Sequence, residues 1–325
     1  MSSPAGTMAL GATARRALGW HPPLMALSAL MAVMAGVCAV GVAVDPQVLV
    51  GAPIWLKPFK FAVSIAVYSV SWAWLLSRMG PANRRRAGLL ATGLVGLFTL
   101  EYVIIVGQVL RGQLSHFNET TPFNASLFGL MGTSIVVIWV GTLILSVMLL
   151  SERVGDRATT RAVQLGALLS VLGAGLGALM VGPTASQRAA MASGAFDGVM
   201  GAHSVGAPDG GPVMPITGWN LDVGDLRVPH FFGLHALQAL PLILFALTLL
   251  GRRFPALADA AVRTRLVWVA AGGYLAVIAL LVWQAERGQS VARPDALTLG
   301  ALAVVVVAVG VAAALALRRR AAVLT

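Results

Sequence analysis

The stretch Ala296-Leu-Thr-Leu-Gly-Ala-Leu-Ala-Val-Val-Val-Val-Ala-Val-Gly-Val-Ala-Ala-Ala-Leu-Ala-Leu317, followed by Arg318-Arg-Arg320, decides the fold class. It holds one hydroxyl and no charge. A helix of about 20 such residues crosses the roughly 30 Å hydrocarbon layer of a bilayer, and the basic triplet marks its return to the headgroups. Working backwards, apolar blocks of similar length recur at 24–44, 57–79, 88–110, 126–150, 162–182, 230–250 and 266–285, which with 296–317 predicts eight spans. Each block can satisfy its backbone hydrogen bonds internally as a helix, as hydrocarbon demands. The period-two alternation of a membrane β-barrel is absent. The expected fold is an all-α polytopic membrane helix bundle, with residues 1–325 as one integral membrane domain and a long loop at 183–229.

Composition supports this reading. Hydrophobic residues make up 58% of the chain and charged residues 11%, too little charge to cover a soluble surface. The net charge of +11 would suit nucleic acid. Its carriers, however, sit in short clusters between apolar blocks, as orientation signals do; the expected partner is the lipid bilayer, not nucleic acid. The single cysteine, Cys38, excludes an internal disulfide and any zinc site built on paired cysteines. Arg15 and Arg16 before the Leu24–Val44 block resemble an export signal. That block is longer than the roughly 7–15 residues of a signal peptide's apolar core, so a retained first span is expected.

Of the 23 Lys and Arg residues, 16 flank the spans on one side: Arg15, Arg16, Arg78, Arg84, Arg85, Arg86, Arg153, Arg157, Arg161, Arg252, Arg253, Arg263, Arg265, Arg318, Arg319 and Arg320. The other side has 7: Lys57, Lys60, Arg111, Arg188, Arg227, Arg287 and Arg293. The richer side is expected to be cytoplasmic, with both termini inside. An internal repeat is also legible. Gln108-Val-Leu-Arg111-Gly112-Gln113 closes the third span, and Gln284-Ala-Glu-Arg287-Gly288-Gln289 closes the seventh, 176 residues later. The same offset pairs Gly96 with Gly272, Phe98 with Tyr274 and Pro53 with Pro229. Two four-helix halves in parallel orientation would produce this pattern; coincidence of composition is the alternative. Gly173, Gly175 and Gly177 in the fifth span read as close helix packing.

Polar residues collect on the outer side. Three segments there do more than connect: 51–61, 111–124 and 183–229. The last is too long for a plain connection, and its Phe196, Met200, Met214 and Trp219 favour docking over disorder. Four of the five histidines, His116, His203, His230 and His235, lie on this side. Within the spans, Lys60 sits about one turn in, Glu101 shares a face with Gln108, and His235 shares one with Gln238. An ionisable group in hydrocarbon faces a partner or a cavity. The bland reading of Glu101 is a helix-locking pair with Lys60 or Tyr102, and that of Lys57 is snorkelling.

These residues define one expected ligand-binding pocket: Lys60, Glu101, Gln108, Arg111, His116, His230, His235 and Gln238, covered by the 183–229 loop. Its ligand would be a small molecule or an ion. A metal would draw on His116, His203, His230 and His235 with a carboxylate such as Glu119, Asp209 or Asp222. Haem is the other cofactor weighed; parallel four-plus-four halves resemble haem A synthase, but histidines on facing helices are missing here. No nucleophile triad, phosphate loop or dinucleotide fingerprint is visible, so an enzymatic role is neither indicated nor excluded. A proton-coupled secondary transporter using Glu101, and an assembly or scaffold protein, are the competing functions. Oligomeric state is not legible.

Trp55-Leu-Lys-Pro-Phe-Lys-Phe61, Ser115-His-Phe-Asn118 with Thr121-Pro-Phe-Asn124, and Gly224-Asp-Leu-Arg-Val-Pro-His-Phe-Phe-Gly-Leu-His-Ala-Leu-Gln-Ala-Leu-Pro241 resemble segments of a family of bacterial multi-pass membrane proteins without an assigned activity. The resemblance runs from the second span to the seventh. It implies a bacterial inner-membrane location.

Overall fold

The computed structural model describes residues 19–318, so Arg15, Arg16, Arg319 and Arg320 lie outside the described residues. The long helices are α1 (Pro22–Val44), α2 (Leu56–Arg78), α3 (Pro81–Leu110), α4 (Pro122–Leu150) and α5 (Arg157–Gly175), the last prolonged by a 3-10 turn, Leu176–Met180. After a short surface helix α6 (Ala185–Ser193) come α7 (Arg227–Leu234), α8 (Ala236–Leu250), the single turn α9 (Pro255–Ala258), α10 (Ala260–Glu286) and α11 (Ala296–Arg318). Four two-residue strands, β1 (Val48–Leu49) with β2 (Ala52–Pro53) and β3 (Ser204–Val205) with β4 (Gly224–Asp225), are the only sheet among the described residues. Among the described residues, seven helices are long and apolar enough to cross a membrane, eight if the bent pair α7 and α8 is one span. The chain is an all-α polytopic membrane protein.

Local chemistry sets the helix starts. Proline opens α1, α3, α4 and α9, where its missing N–H and fixed φ suit the first turn. Asp156 caps α5 by accepting from the Thr159 N–H, and Asp259 caps α10 through the Ala261 N–H. His21 caps α1: Nδ1 accepts from Leu24 N–H at 3.3 Å and Nε2–H donates to the Gly88 carbonyl at 3.0 Å. Burial, against that second bond, pushes the His21 imidazole below its ordinary value.

By packing, the chain forms two compact units. The first holds the described residues up to Val48, Pro53–Ser115 and Gly129–Glu152. Its core joins Leu27, Met31, Ala62, Ile65 and Tyr102. Gly41 lets α1 approach the head of α2, since a Cβ there would stand 2.5 Å from the Trp55 ring. The Trp55 indole N–H donates to Asp45 at 2.8 Å. Tyr68 and Thr142 share a hydrogen bond of 2.8 Å between α2 and α4. Such bonds between spans contribute about 0.6 kcal/mol each, so packing carries most of the stability.

The second unit comprises Leu49–Ala52, His116–Phe128 and Arg153 onward. Ala158, Ala162, Leu169, Ala236, Leu240, Leu244, Val267 and Ala271 form its core. Here the sequence reading needs a correction: the block 230–250 is not one straight helix. It breaks at His235, and α7 and α8 meet at 54°. The break lies beside the crossing with α5, where a Cβ on Gly173 would collide with the Gly233 carbonyl carbon and one on Gly233 would stand 2.5 Å from Gly173 Cα. Glycine on both helices lets the two backbones touch there. The carbonyls freed at the break find side-chain donors: Ser170 Oγ to Leu234 O at 2.7 Å and Tyr274 OH to Phe232 O at 2.5 Å. Side-chain hydroxyls are the usual remedy where a membrane helix is interrupted.

The repeat has a structural counterpart at two helix ends. Gln108 Nε2 donates to the Leu114 carbonyl at 3.1 Å, and Gln284 Nε2 donates to the Ser290 carbonyl at 2.9 Å. In each case the next turn closes through a left-handed glycine, Gly112 at φ 66° and Gly288 at φ 72°. Gly112 N–H bonds to Val109 O and Gly288 N–H to Ala285 O, both at 2.9 Å. This is an αL helix terminus with a buried amide bridging over it. The expected match of Pro53 with Pro229 does not hold. Pro53 lies in β2, whereas Pro229 is the third residue of α7, the position that Pro58 takes in α2.

Candidate functional site

Parts of the three segments singled out in the sequence fold together within the second unit, whereas 53–61 and 111–115 belong to the first. Residues 49–52, 116–128 and 183–226 all belong to the second. Gly51, at φ 75°, packs under the carbonyls of Gly210 and Gly211, where a Cβ would stand 2.9 Å from each. The 116–128 segment runs antiparallel to the long loop through the Asn118–Val199 bridge, with Glu119 N–H to Gly198 O at 2.6 Å and Met200 N–H to Phe117 O at 2.9 Å. These bonds hold Phe117 at φ 62°, a conformation a bulky residue adopts only under constraint. The long loop is an ordered cap.

A second network anchors that cap. Asp225 is fully buried and takes Arg227 Nη2–H at 2.6 Å, while the same nitrogen donates to Gly218 O at 2.6 Å. Asn220 receives and gives four bonds in this layer: its N–H to Asp225, its Nδ2 to Ser204 Oγ, and its Oδ1 from the N–H groups of Asp222 and Val223. Ser290 Oγ donates to the Asn220 carbonyl at 2.9 Å. The recess bounded by Asp225, Gln284 and Gln289 has no room for a water-sized sphere. These residues are structural.

Two histidines differ. His203 Nδ1–H donates to Asp209 at 2.8 Å, and the carboxylate also accepts from the N–H groups of His203 and Ser204. Burial alone would raise the Asp209 carboxyl; the His203 ring and these N–H groups outweigh it and hold the group well below the usual carboxylate range. The His203 ring stands edge-on to Phe117, centroids 4.9 Å apart. His230 sits in a seat made by α5. Its Nδ1–H donates to the Gly173 carbonyl at 2.8 Å. Gly177 leaves space for the ring, because a Cβ there would come within 3.1 Å of His230 Cε1. With Nδ1 protonated toward a carbonyl, Nε2 is left as an acceptor. That is how a protein presents imidazole as a base or a ligand. His203 acts on His230 electrostatically.

The remaining expected residues divide by unit. Lys60, Glu101, Gln108 and Arg111 belong to the first, and His116, His230, His235 and Gln238 to the second. Gln108 is engaged in the helix-end lock, and its Oε1 accepts from Arg111 Nη1 at 2.5 Å. Glu101 is buried, with Oε1 lacking a hydrogen-bond partner among the described residues. The cation acting on it is Lys57, which the sequence reading assigned to the interface. Tyr102 turns to Cys38 instead, at 3.4 Å. His116 adjoins Phe117, His235 is exposed in the helix break, and Gln238 is half-buried one turn into α8. No group of three or more His, Cys, Asp or Glu is placed to hold a metal among the described residues. The residues missed by the sequence reading are the seat of His230 and the strained Phe117. The glycines at 173 and 177 were its only signal.

No protein-family model, curated protein or solved structure matches the chain.

Proposed function

We propose that this protein is a bacterial inner-membrane, multi-pass protein that binds a small molecule or ion on its extracytoplasmic side, with His230 as a contact residue and the His203–Asp209 pair beside it. One observation carries the reading. Main-chain and glycine geometry pin the His230 ring by one nitrogen and leave the other as an acceptor without a hydrogen bond among the described residues. A ring anchored through Nδ1 in this way holds Nε2 in one orientation, ready to accept from a ligand. The test is binding of a panel of small solutes and divalent metals to the full purified chain, set against His230→Phe. Phenylalanine is apt because Phe59 follows Pro58 in α2 as His230 follows Pro229 in α7. A ligand that raises the melting temperature of the parent and not of the variant supports the reading. Equal shifts in both overturn His230 as the contact.

A secondary transporter is the second reading, and the 54° break at His235 favours it, since transporters build their sites on interrupted helices. Uptake of the same ligand into proteoliposomes separates it from a non-translocating binder.

A further inference from the structure

Helices α3 and α10 end in the same lock, and several positions along the preceding turns match in burial, although Glu101, Ile104 and Ile105 are buried where Val277, Leu280 and Leu281 are half-buried. Gly96 and Gly272 are both exposed, with nothing within 4 Å of a Cβ. Phe98 and Tyr274 are both half-buried, Tyr102 and Ile278 both buried, Gln108 and Gln284 both buried. Between these matched positions, α3 carries Glu101 where α10 carries Val277. A helix with this terminus therefore forms without a carboxylate there.

Glu101 is 3% exposed, and its Oε1 has no hydrogen-bond partner among the described residues. A structural carboxylate at such depth is held by donors on its oxygens. Ionisable residues that spans retain without that support mark ion and proton pathways. The surroundings narrow the ligand. Helix α2 presents Lys57, which acts on Glu101, and one turn further Lys60; α1 meets α3 through the Cys38–Tyr102 pair; and α4 has no titratable side chain over 129–150. A metal ion or an organic cation would be repelled by the lysine charge and would need space. A proton needs no cavity, and once bound it leaves a neutral acid.

We infer that Glu101 is a functional protonation site within the span, taking a proton as its ligand, and that the fold does not require it. A hydronium O–H bond breaks as the carboxylate oxygen forms its own O–H bond, leaving water, and the reverse transfer returns the proton on release. The inference is independent of the His230 reading, which concerns the other unit.

The full chain in detergent or nanodiscs, treated with dicyclohexylcarbodiimide and mapped by mass spectrometry, tests it. The O–H of a protonated carboxyl adds across one C=N bond of this apolar reagent, giving an adduct of the reagent's full mass. The expected result is label at Glu101 that increases as pH is lowered and is lost in Glu101→Gln. In parallel, Glu101→Val should fold and melt at or above the parent temperature. Absence of label at any pH, or label that ignores pH, overturns the protonation site. A Glu101→Val chain that fails to fold or melts far lower shows that the carboxylate is structural, and overturns the inference by the other route.

Discussion

The imidazole of His230 and the carbonyl of Gly173 are joined at 2.8 Å, so the same glycine that allows two helix backbones to touch also orients the ring proposed as the ligand contact. Separation of these helices would therefore disturb both the fold and the site.

Gly173→Ala should be strongly destabilising. Its Cβ would collide with the Gly233 backbone rather than with a side chain that can move. Overpacking of this kind costs about 1–3 kcal/mol, sometimes more. Gly177→Ala meets only the edge of the His230 ring at 3.1 Å and should cost less, while weakening any ligand bound at His230. Melting temperatures in one detergent, with binding measured alongside, check the order of the two. Equal losses would mean that the crossing yields more easily than its geometry implies.

The cap should loosen in acid. Asp209 has a folded value held below its ordinary one, so its contribution is fully present above the unfolded pKa, about 3.9 for Asp. It is lost as pH falls below that value toward the folded one. Amide exchange at His203 and Ser204, whose N–H groups the carboxylate holds, should accelerate beyond the intrinsic rate in that window. Asp209→Asn should remove the pH dependence and give fast exchange at neutral pH as well. Exchange at these amides that follows only the intrinsic rate would refute the latch.

The apolar blocks were legible because membrane insertion depends on length and composition alone, and both are properties of a continuous segment. The break at His235 was not, because the run from Phe231 to Leu244 keeps the length and largely apolar character of a span despite His235 and Gln238. The close approach of Gly173 to Gly233 beside the break arises only through tertiary packing. The helix-end glutamines were visible for the opposite reason: Gln108 to Leu114 and Gln284 to Ser290 are local bonds, so the whole motif lies within one short stretch of sequence. The pairing of His203 with Asp209 depends on the turn between them, and no periodicity announces it.

Sidedness rests on the basic residues. Reporter fusions after Arg86, Arg157 and Arg263 should report cytoplasm, and fusions near Asn118 and Asp209 the opposite side. The structure sharpens this test, because Asn118 and Val199 are bridged and both belong to the cap. The two outer fusions must therefore agree with one another. Disagreement would mean that a fusion had displaced the cap, and a cytoplasmic signal from both would invert the assignment.

The last prediction concerns the paired locks. Gln108 and Gln284 are 1% and 4% exposed, and each amide satisfies a carbonyl six residues on, beyond the end of its helix. Truncation to alanine removes that donor from a buried hydrogen bond, a loss of about 1–3 kcal/mol. If the two ends are copies of one motif, Gln108→Ala and Gln284→Ala should destabilise the full chain by similar amounts. The neighbouring arginines differ and supply the control. Arg111 donates to Gln108 itself, whereas Arg287 turns away to Asp295 at 2.5 Å and stacks over Trp283, 4.5 Å to the ring centroid. Arg111→Met should therefore weaken its own lock, and Arg287→Met should leave the Gln284 bond intact and act on the Asp295 loop instead. Double-mutant cycles on melting temperature separate these cases: coupling between Arg111 and Gln108, and none between Arg287 and Gln284, is the expected result. Coupling of equal size in both pairs would mean that the arginine belongs to the motif and that the divergence seen at Arg287 carries no energetic weight.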